Sequence, residues 1–113
     1  MKKDPQILLR HIRESIDLIF VYMDGVSEDG FKRDIGTQDK VLRRIEIIGE
    51  AVKGLPDDFI DIHPEVPWRQ IASMRDLIIH EYFSIDIDLV WEIVKKKLPE
   101  LKSKIETMLG HGE

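Results

Sequence analysis

Apolar residues recur every three or four positions along nearly the whole chain, and this spacing restricts the fold more than any other feature. In the first segment Asp4 precedes Pro5, which suits an N-cap followed by the first residue of a helix. The spacing predicts an amphipathic helix that begins at Pro5 and ends near Asp24 and Gly25. Its apolar face consists of Leu8, Ile12, Ile16, Ile19 and Met23.

A short helix and a long helix are predicted to follow. Ser27, with two acidic residues after it, favours a short helix that reaches Arg33. Thr37 is typical of the N-cap of a long helix that stops at Gly54. Gly49 lies inside this helix, where a glycine costs roughly 1 kcal/mol relative to alanine, so we expect another helix to approach closely there. The buried stripe of the long helix is predicted to be Val41, Ile45, Ile48 and Val52.

Residues 55–67 separate these helices from the rest of the chain. The stretch contains three prolines and has no sustained periodicity, which predicts a loop with one helical turn near residues 57–60. From Pro67 a further helix is predicted to run towards Tyr82. Its core-facing positions are expected to be Trp68, Ile71, Met74, Ile78 and Ile79.

The last segment has two interpretations. Apolar and polar residues alternate from Ile85 to Leu89, as they do in a strand. We favour a helix capped by Ser84 or Asp86, because an apolar stripe then continues with helical spacing. Pro99 is expected to kink or divide that helix, since proline lacks the N–H that an internal helical position donates. The stripe consists of Val90, Trp91, Val94 and Leu98, followed by Leu101, Ile105 and Met108.

Length and composition limit the class of protein. A chain of 113 residues that is 42% hydrophobic can bury one compact core, so we expect a single domain over residues 1–113. The absence of cysteine excludes disulfides and thiolate zinc sites and favours the cytoplasm. Charged residues interrupt the apolar N-terminal stretch, so neither a signal peptide nor contact with a membrane is expected.

The net charge of -5 argues against a broad basic surface for nucleic acid. Any contact with a phosphate backbone must therefore be local. The basic residues that cluster along the chain are either such local contacts or ordinary solvated helix faces. They are Lys32, Arg33, Lys40, Arg43, Arg44, Arg69 and Arg75.

Arg75 and His80 carry the most informative chemistry, because both stand among strongly apolar neighbours. Histidine moves protons near neutral pH, and the arginine fork suits phosphate oxygens. Together they suffice for RNA cleavage, in which the 2'-hydroxyl attacks the adjacent phosphorus, a base removes its proton and a cation stabilises the developing charge. This reaction needs neither a metal nor another cofactor. The other histidines lack carboxylates at a ligand spacing, and we predict no metal site.

The spacing of this pair raises a geometric problem. Five steps along a continuous helix turn through roughly 140° beyond one full turn, so Arg75 and His80 would not share a face. Either the helix bends or ends near His80, or the partner cation comes from a second copy of the chain, which we favour. Asp76 lies four residues before His80 and is expected to orient its imidazole. The alternative is a surface ion-pair network with His80 near a helix C-terminus.

A wider set of motifs resembles one known family. The chain is similar to the HepT-like branch of the HEPN ribonuclease superfamily, and the similarity spans nearly its whole length. It is carried by Ile48-Gly49-Glu50-Ala51-Val52-Lys53, by His63-Pro64-Glu65-Val66-Pro67-Trp68-Arg69-Gln70-Ile71-Ala72, by Met74-Arg75-Asp76 with His80-Glu81-Tyr82-Phe83, and by Asp88-Leu89-Val90-Trp91 with Leu98-Pro99.

The resemblance implies an all-α fold, an antiparallel helical bundle of four to five main helices that works as a homodimer. Two copies of the Arg-x-x-x-x-His segment would face one cleft, with Arg75 and His80 as the catalytic pair and Asp76 as the polar residue after the arginine. Members are toxins that cleave RNA and are paired with a nucleotidyltransferase-type antitoxin. The antitoxin transfers AMP to a tyrosine that corresponds to Tyr82, and the added phosphate would repel RNA.

A second class of function also fits the sequence. A non-catalytic helical dimer would bind a nucleotidyltransferase partner or a nucleotide in the same cleft, and the acidic net charge favours this interpretation. A purely structural dimer is a third interpretation, indicated if Arg75 and His80 lie buried and apart.

Overall fold

A computed structural model describes residues 4–81 and 84–110, without the side chains of residues 80 and 81. The described chain is almost entirely helical, as predicted. Its helices are α1 (Pro5–Met23), α2 (Glu28–Arg33), α3 (Ile35–Lys53), α4 (Asp57–Asp61), α5 (Trp68–Ala72), α6 (Met74–Ile78), α7 (Ile87–Glu92) and α8 (Leu98–Leu109). Two short strands, β1 (Ile79–Glu81) and β2 (Ser84–Ile85), separate α6 from α7, and a π-helical turn (Ile93–Lys97) joins α7 to α8.

Helix α1 begins and ends as its sequence predicts. The Asp4 carboxylate accepts a hydrogen bond from the backbone N–H of Gln6 at 2.9 Å, and Pro5 occupies the first turn. Every residue of the predicted apolar face is buried. After the helix ends at Met23, Gly25 adopts a positive φ of 72°, a conformation that a side chain would disfavour.

The N-cap of α3 is Asp34, and the prediction of Thr37 as the cap is wrong. One oxygen of Asp34 accepts the backbone N–H of Thr37 at 3.0 Å, and the other accepts its hydroxyl at 2.8 Å. A carboxylate that receives both donors lets the helix start at Ile35, three residues earlier than predicted. The short helix α2 does have its predicted cap, since Ser27 accepts the N–H of Gly30 at 3.0 Å.

The core forms where α1 packs against α3 and α8, while α3 also packs against α5 and α6. The predicted stripe of α3 is fully buried in this core. Gly49 allows the close approach that its position suggests, because a Cβ there would lie 3.1 Å from the carbonyl oxygen of Ala72. No helix within residues 4–81 and 84–110 combines the length and apolarity needed to cross a bilayer.

The single helix predicted from Pro67 to Tyr82 is wrong, because the chain forms two five-residue helices and then extends. The helix is interrupted at Ser73, whose backbone has φ -105° and ψ 16°. Its hydroxyl donates to the carbonyl of Arg69 at 2.8 Å, a side-chain bond of the kind that accompanies bends in helices. After α6 the β-branched Ile79 enters β1, as suits its restricted side chain. Tyr82 itself lies outside the described residues.

Strands β1 and β2 pair antiparallel, with Ile79 opposite Ile85. The favoured helical interpretation of the last segment is correct from Ile87 onward, and Ser84 and Ile85 form the strand. Asp86 caps α7 by accepting the N–H of Leu89 at 3.1 Å.

Pro99 divides the last helix as predicted, through the turn that precedes it. The N–H of Leu98 bonds to the carbonyl of Ile93, five residues back, which widens this turn into a π-helix. Pro99 cannot donate to the carbonyl of Lys95, and the wider turn accommodates that missing bond. Helix α8 then continues with Leu101 and Ile105 in the core.

Candidate functional site

The site is built on α6, whose buried residues fix the direction of its exposed ones. Met74 and Ile78, one turn apart, are buried in the core. Arg75 and Asp76 lie between them on the exposed side of the helix. The core packing of α6 therefore determines where the two predicted site residues point.

Arg75 forms an ion pair with α3. Its Nε donates to Oε2 of Glu46 at 2.5 Å, a charge-assisted hydrogen bond between residues 29 positions apart. The other carboxylate oxygen of Glu46 lies 3.9 Å from Nη1 of Arg43. Half of the Arg75 side chain and about a third of the Glu46 side chain remain exposed, so the pair stands at the surface.

Arg75 and Asp76 share one open cavity of about 310 Å³ between α3 and the α5–α6 segment. Its lining contains both cationic and acidic side chains, so that it is mixed in charge. Such a site can bind a phosphate only where a cationic side chain contacts it and the carboxylates do not. The lining residues are Arg43, Ile45, Glu46, Gly49, Glu50, Lys53, Ala72, Arg75 and Asp76.

His80 is placed by its backbone alone, as the central residue of β1. Helix α6 ends at Ile78, so Arg75 and His80 are not separated by the angle of roughly 140° that a continuous helix would impose. Of the two solutions to that geometric problem, an end of the helix near His80 is observed within the chain. For the same reason Asp76 and His80 do not share a helical face. The His80 side chain and the whole of Tyr82 lie outside the described part of the chain.

The basic residues divide between two roles. Lys32 lies 3.0 Å from Asp88, and this hydrogen-bonded pair raises the pKa of the Lys32 ammonium. Lys53 pairs with Glu50 at 3.2 Å within α3. The Lys32 contact fits the interpretation as a solvated helix face, whereas Lys53 and Arg43 line the cavity together with Arg75.

Of the remaining histidines, His63 makes local contacts. Nδ1 of His63 lies 3.2 Å from Oε2 of Glu65, and its ring packs against Phe59. The Glu65 pKa is lowered, first by a hydrogen bond from its own backbone N–H and then by His63. Among the described residues no three potential ligands gather into a metal site. His111 falls outside the described range.

Glu46 is a site residue that the sequence reasoning missed. The signal was available in Gly49, which marks the face of α3 where another helix comes close. Glu46 precedes Gly49 by three residues and therefore lies on the same face. An acidic residue at that position faces whatever polar group the approaching segment carries.

Comparison with known proteins identifies a family. The family described as "Ribonuclease HepT-like" matches residues 12–108 of the chain. No solved structure gives a significant match.

Several archaeal and bacterial proteins are similar over most of the chain. A Methanocaldococcus jannaschii protein, named as a gamma-glutamylcyclotransferase and candidate RNase, is 50% identical over 93% of this chain; the chain spans 47% of that protein, about half its length. A candidate ribonuclease HepT of Thermococcus cleftensis is 44% identical over 96% of this chain and 98% of its own. A candidate RNase of Caldanaerobacter subterraneus is 39% identical over 95% of this chain and 96% of its own.

Proposed function

The chain belongs to the HepT-like ribonuclease family, and from this membership we propose that it is a metal-independent endoribonuclease acting around Arg75 and His80. The observation that carries the proposal is the family match, which includes the whole segment from Arg75 to Tyr82. The half-exposed Arg75 guanidinium in an open cavity supports it, since a phosphate can reach that group.

The proposed reaction uses few groups. His80 removes the proton of the RNA 2'-hydroxyl, whose oxygen then attacks the adjacent phosphorus. The bond from phosphorus to the 5'-oxygen breaks in the same reaction, and that oxygen takes a proton from water and leaves as a hydroxyl. Arg75 stabilises the negative charge that develops on the non-bridging phosphate oxygens. Asp76 is proposed to orient the His80 imidazole; because α6 ends before His80, this contact depends on the path of β1 rather than on a helical face.

We further propose that the active form is a homodimer, in which two Arg75–His80 segments face a common cleft. The resemblance to HepT-like proteins supports this arrangement. We also propose that the protein is a cytoplasmic toxin, neutralised when a nucleotidyltransferase antitoxin transfers AMP to Tyr82. The transferred phosphate would add negative charge beside the cleft and repel the RNA backbone.

Substitution of the catalytic pair tests the nuclease. His80→Ala and Arg75→Ala should each lower cleavage of a labelled RNA by more than about a hundredfold, since proton transfer and charge stabilisation each contribute that much. His11→Ala, which changes an exposed histidine on α1, serves as the control and should cleave normally. Cleavage by a folded His80→Ala protein at the wild-type rate would refute the proposal.

Mass spectrometry tests the modification. Incubation with a nucleotidyltransferase encoded beside this chain and with ATP should add the mass of one AMP to the peptide that contains Tyr82. Tyr22→Phe should be modified like the wild type, and Tyr82→Phe should not be modified. Failure to detect the adduct on Tyr82 would remove the switch and leave the nuclease proposal standing.

A non-catalytic module that binds a nucleotidyltransferase or a nucleotide is the second candidate. The net charge of -5 and the mixed charges of the cavity favour it, because both weaken attraction for a long phosphate backbone. A purified wild-type protein that forms a stable complex with the enzyme but cleaves no RNA would indicate this function.

A further inference from the structure

Glu46 holds Arg75 from a different helix, and this contact has no role in the function proposed so far. Arg75 Nε donates to Glu46 Oε2 at 2.5 Å. Within residues 4–81 and 84–110, side chains of residues 80 and 81 aside, Glu46 is the one ion-pair partner of Arg75. The long arginine side chain is thus restrained at one nitrogen.

The choice of nitrogen matters for phosphate binding. A guanidinium has five N–H donors, one on Nε and four on the two terminal nitrogens. Glu46 uses the Nε donor, so the terminal nitrogens are left for a ligand. A hydrogen bond at Nε restricts the orientation of the guanidinium plane. The two terminal nitrogens can then bind a phosphate with little further loss of conformational freedom.

The packing around Gly49 brings the two partners together. A Cβ at Gly49 would lie only 3.1 Å from the Ala72 carbonyl oxygen, so α3 and the end of α5 are nearly in backbone contact. Arg75 follows Ala72 by three residues, and Glu46 precedes Gly49 by one helical turn. The close approach therefore sets the distance that the Arg75–Glu46 pair spans.

We propose that Glu46 is the positioning residue of Arg75, which fixes the guanidinium plane so that its terminal nitrogens meet the scissile phosphate. This inference rests on the proposed ribonuclease function. The opposite role is a carboxylate that competes with phosphate for Arg75 and keeps the site inactive. The two roles differ in sign, because removal of a positioning residue slows cleavage and removal of a competitor accelerates it.

Three variants of the full-length protein separate these roles. Glu46→Ala removes the acceptor, whereas Glu46→Gln keeps an oxygen that accepts from Nε without the charge. Glu92→Gln is the matched control, because it makes the same charge change in an exposed ion pair, with Lys96, that lies outside the cavity. Thermal unfolding of each variant verifies that it is folded.

Steady-state cleavage of a labelled RNA gives the main readout. For Glu46→Ala we expect kcat to fall by about tenfold to a hundredfold while KM changes less than about threefold, as for an interaction that acts in the transition state. Glu46→Gln should recover kcat to within about fivefold of the wild type, and Glu92→Gln should match the wild type. An unchanged or increased kcat for a folded Glu46→Ala protein would overturn the inference, as would a Glu46→Gln protein no better than Glu46→Ala.

Proton–nitrogen NMR of the arginine side chains gives a readout that does not depend on cleavage. The Nε–H resonance of Arg75, assigned by its loss in Arg75→Lys, should shift clearly in Glu46→Ala and remain in place in Glu92→Gln. If the wild type cleaves no RNA, the proposed function fails whatever the resonance does, and the inference falls with it. If the wild type cleaves RNA but the Arg75 Nε–H resonance does not shift in Glu46→Ala, the positioning role alone is overturned.

Discussion

Asp34 illustrates how single hydrogen bonds set the boundaries of this fold. Its carboxylate accepts both the backbone N–H and the hydroxyl of Thr37, and these bonds lower the Asp34 pKa, the backbone bond most strongly. The charged form is therefore favoured more strongly in the folded protein than in the unfolded chain. Ionisation of this cap adds stability that is lost when the carboxylate is protonated.

A pH-dependent loss of stability follows from this lowered pKa. The contribution of Asp34 should be complete above its unfolded pKa of about 3.9 and should disappear as the pH falls through the lower, folded value. Asp34→Asn keeps a capping oxygen without a charge, so wild type and variant should differ in melting temperature at pH 7 and converge as the pH falls below about 4. Thermal unfolding across this range checks the prediction, and a difference independent of pH would contradict it.

Caps were partly predictable at this scale. Asp4 and Ser27 each stand directly before a helical pattern with no rival nearby, and both were assigned correctly. Thr37 competed with Asp34, and spacing alone does not rank two possible caps three residues apart. Glu46 was missed because its partner lies 29 residues away, a contact that only the packed helices create.

Among the secondary-structure elements, the α5–α6 break has the largest effect on the site. The apolar spacing of Ile71, Met74 and Ile78 continues through Ser73, so periodicity predicts one uninterrupted helix. The break lies at Ser73, where the backbone has φ -105° and ψ 16° and the hydroxyl bonds to the Arg69 carbonyl, and neither feature leaves a trace in that spacing. By contrast α1 and α3, long and strongly periodic, were predicted with nearly their observed lengths.

Replacement of Gly49 tests the contact between α3 and α5. Gly49→Ala should lower the free energy of unfolding by about 1–2 kcal/mol, because crowding against a backbone carbonyl exceeds the gain in helix propensity of about 1 kcal/mol. Gly36→Ala is the matched control on the same helix, since its Cβ would meet only Asp34 Oδ1, at 3.4 Å, and it should be neutral or stabilising. Urea denaturation measures both, and a stabilised Gly49→Ala would show that the contact is looser than described.

At the scale of the whole molecule, the cavity lies where α3 meets the α5–α6 segment, so residues distant in sequence form it. Helical periodicity indicated the all-α class, and the chemistry and spacing of Arg75, Asp76 and His80 singled them out before the family resemblance supported that choice. Neither the periodicity nor the resemblance predicted the residue at which α6 ends. The position of His80 relative to Arg75 within one chain was therefore not predicted either. That relation depends on the path beyond Ile78 and, in the proposed dimer, on a second copy.

Mixing of inactive variants tests the proposed dimer. If Arg75 of one subunit works with His80 of the other, equal amounts of Arg75→Ala and His80→Ala proteins should regain about a quarter of the wild-type activity after unfolding and refolding together. Half of the dimers would then be mixed, and each would hold one intact pair. Each variant refolded alone is the control, and a mixture as inactive as its components would place both groups in the same subunit.

Because of the π-helical turn, deletion of a residue should have different effects at different positions of the last helix. The apolar stripe advances by two successive four-residue steps, from Val90 to Val94 and then to Leu98, and each step overshoots a full α-helical turn by about 40°. The wider turn absorbs this excess and keeps Leu98 in the core. Loss of one lysine from the turn would leave a regular helix, whereas loss of one residue within α8 would rotate its buried side chains towards solvent. Natural variation in chain length should therefore concentrate at Lys95–Lys97.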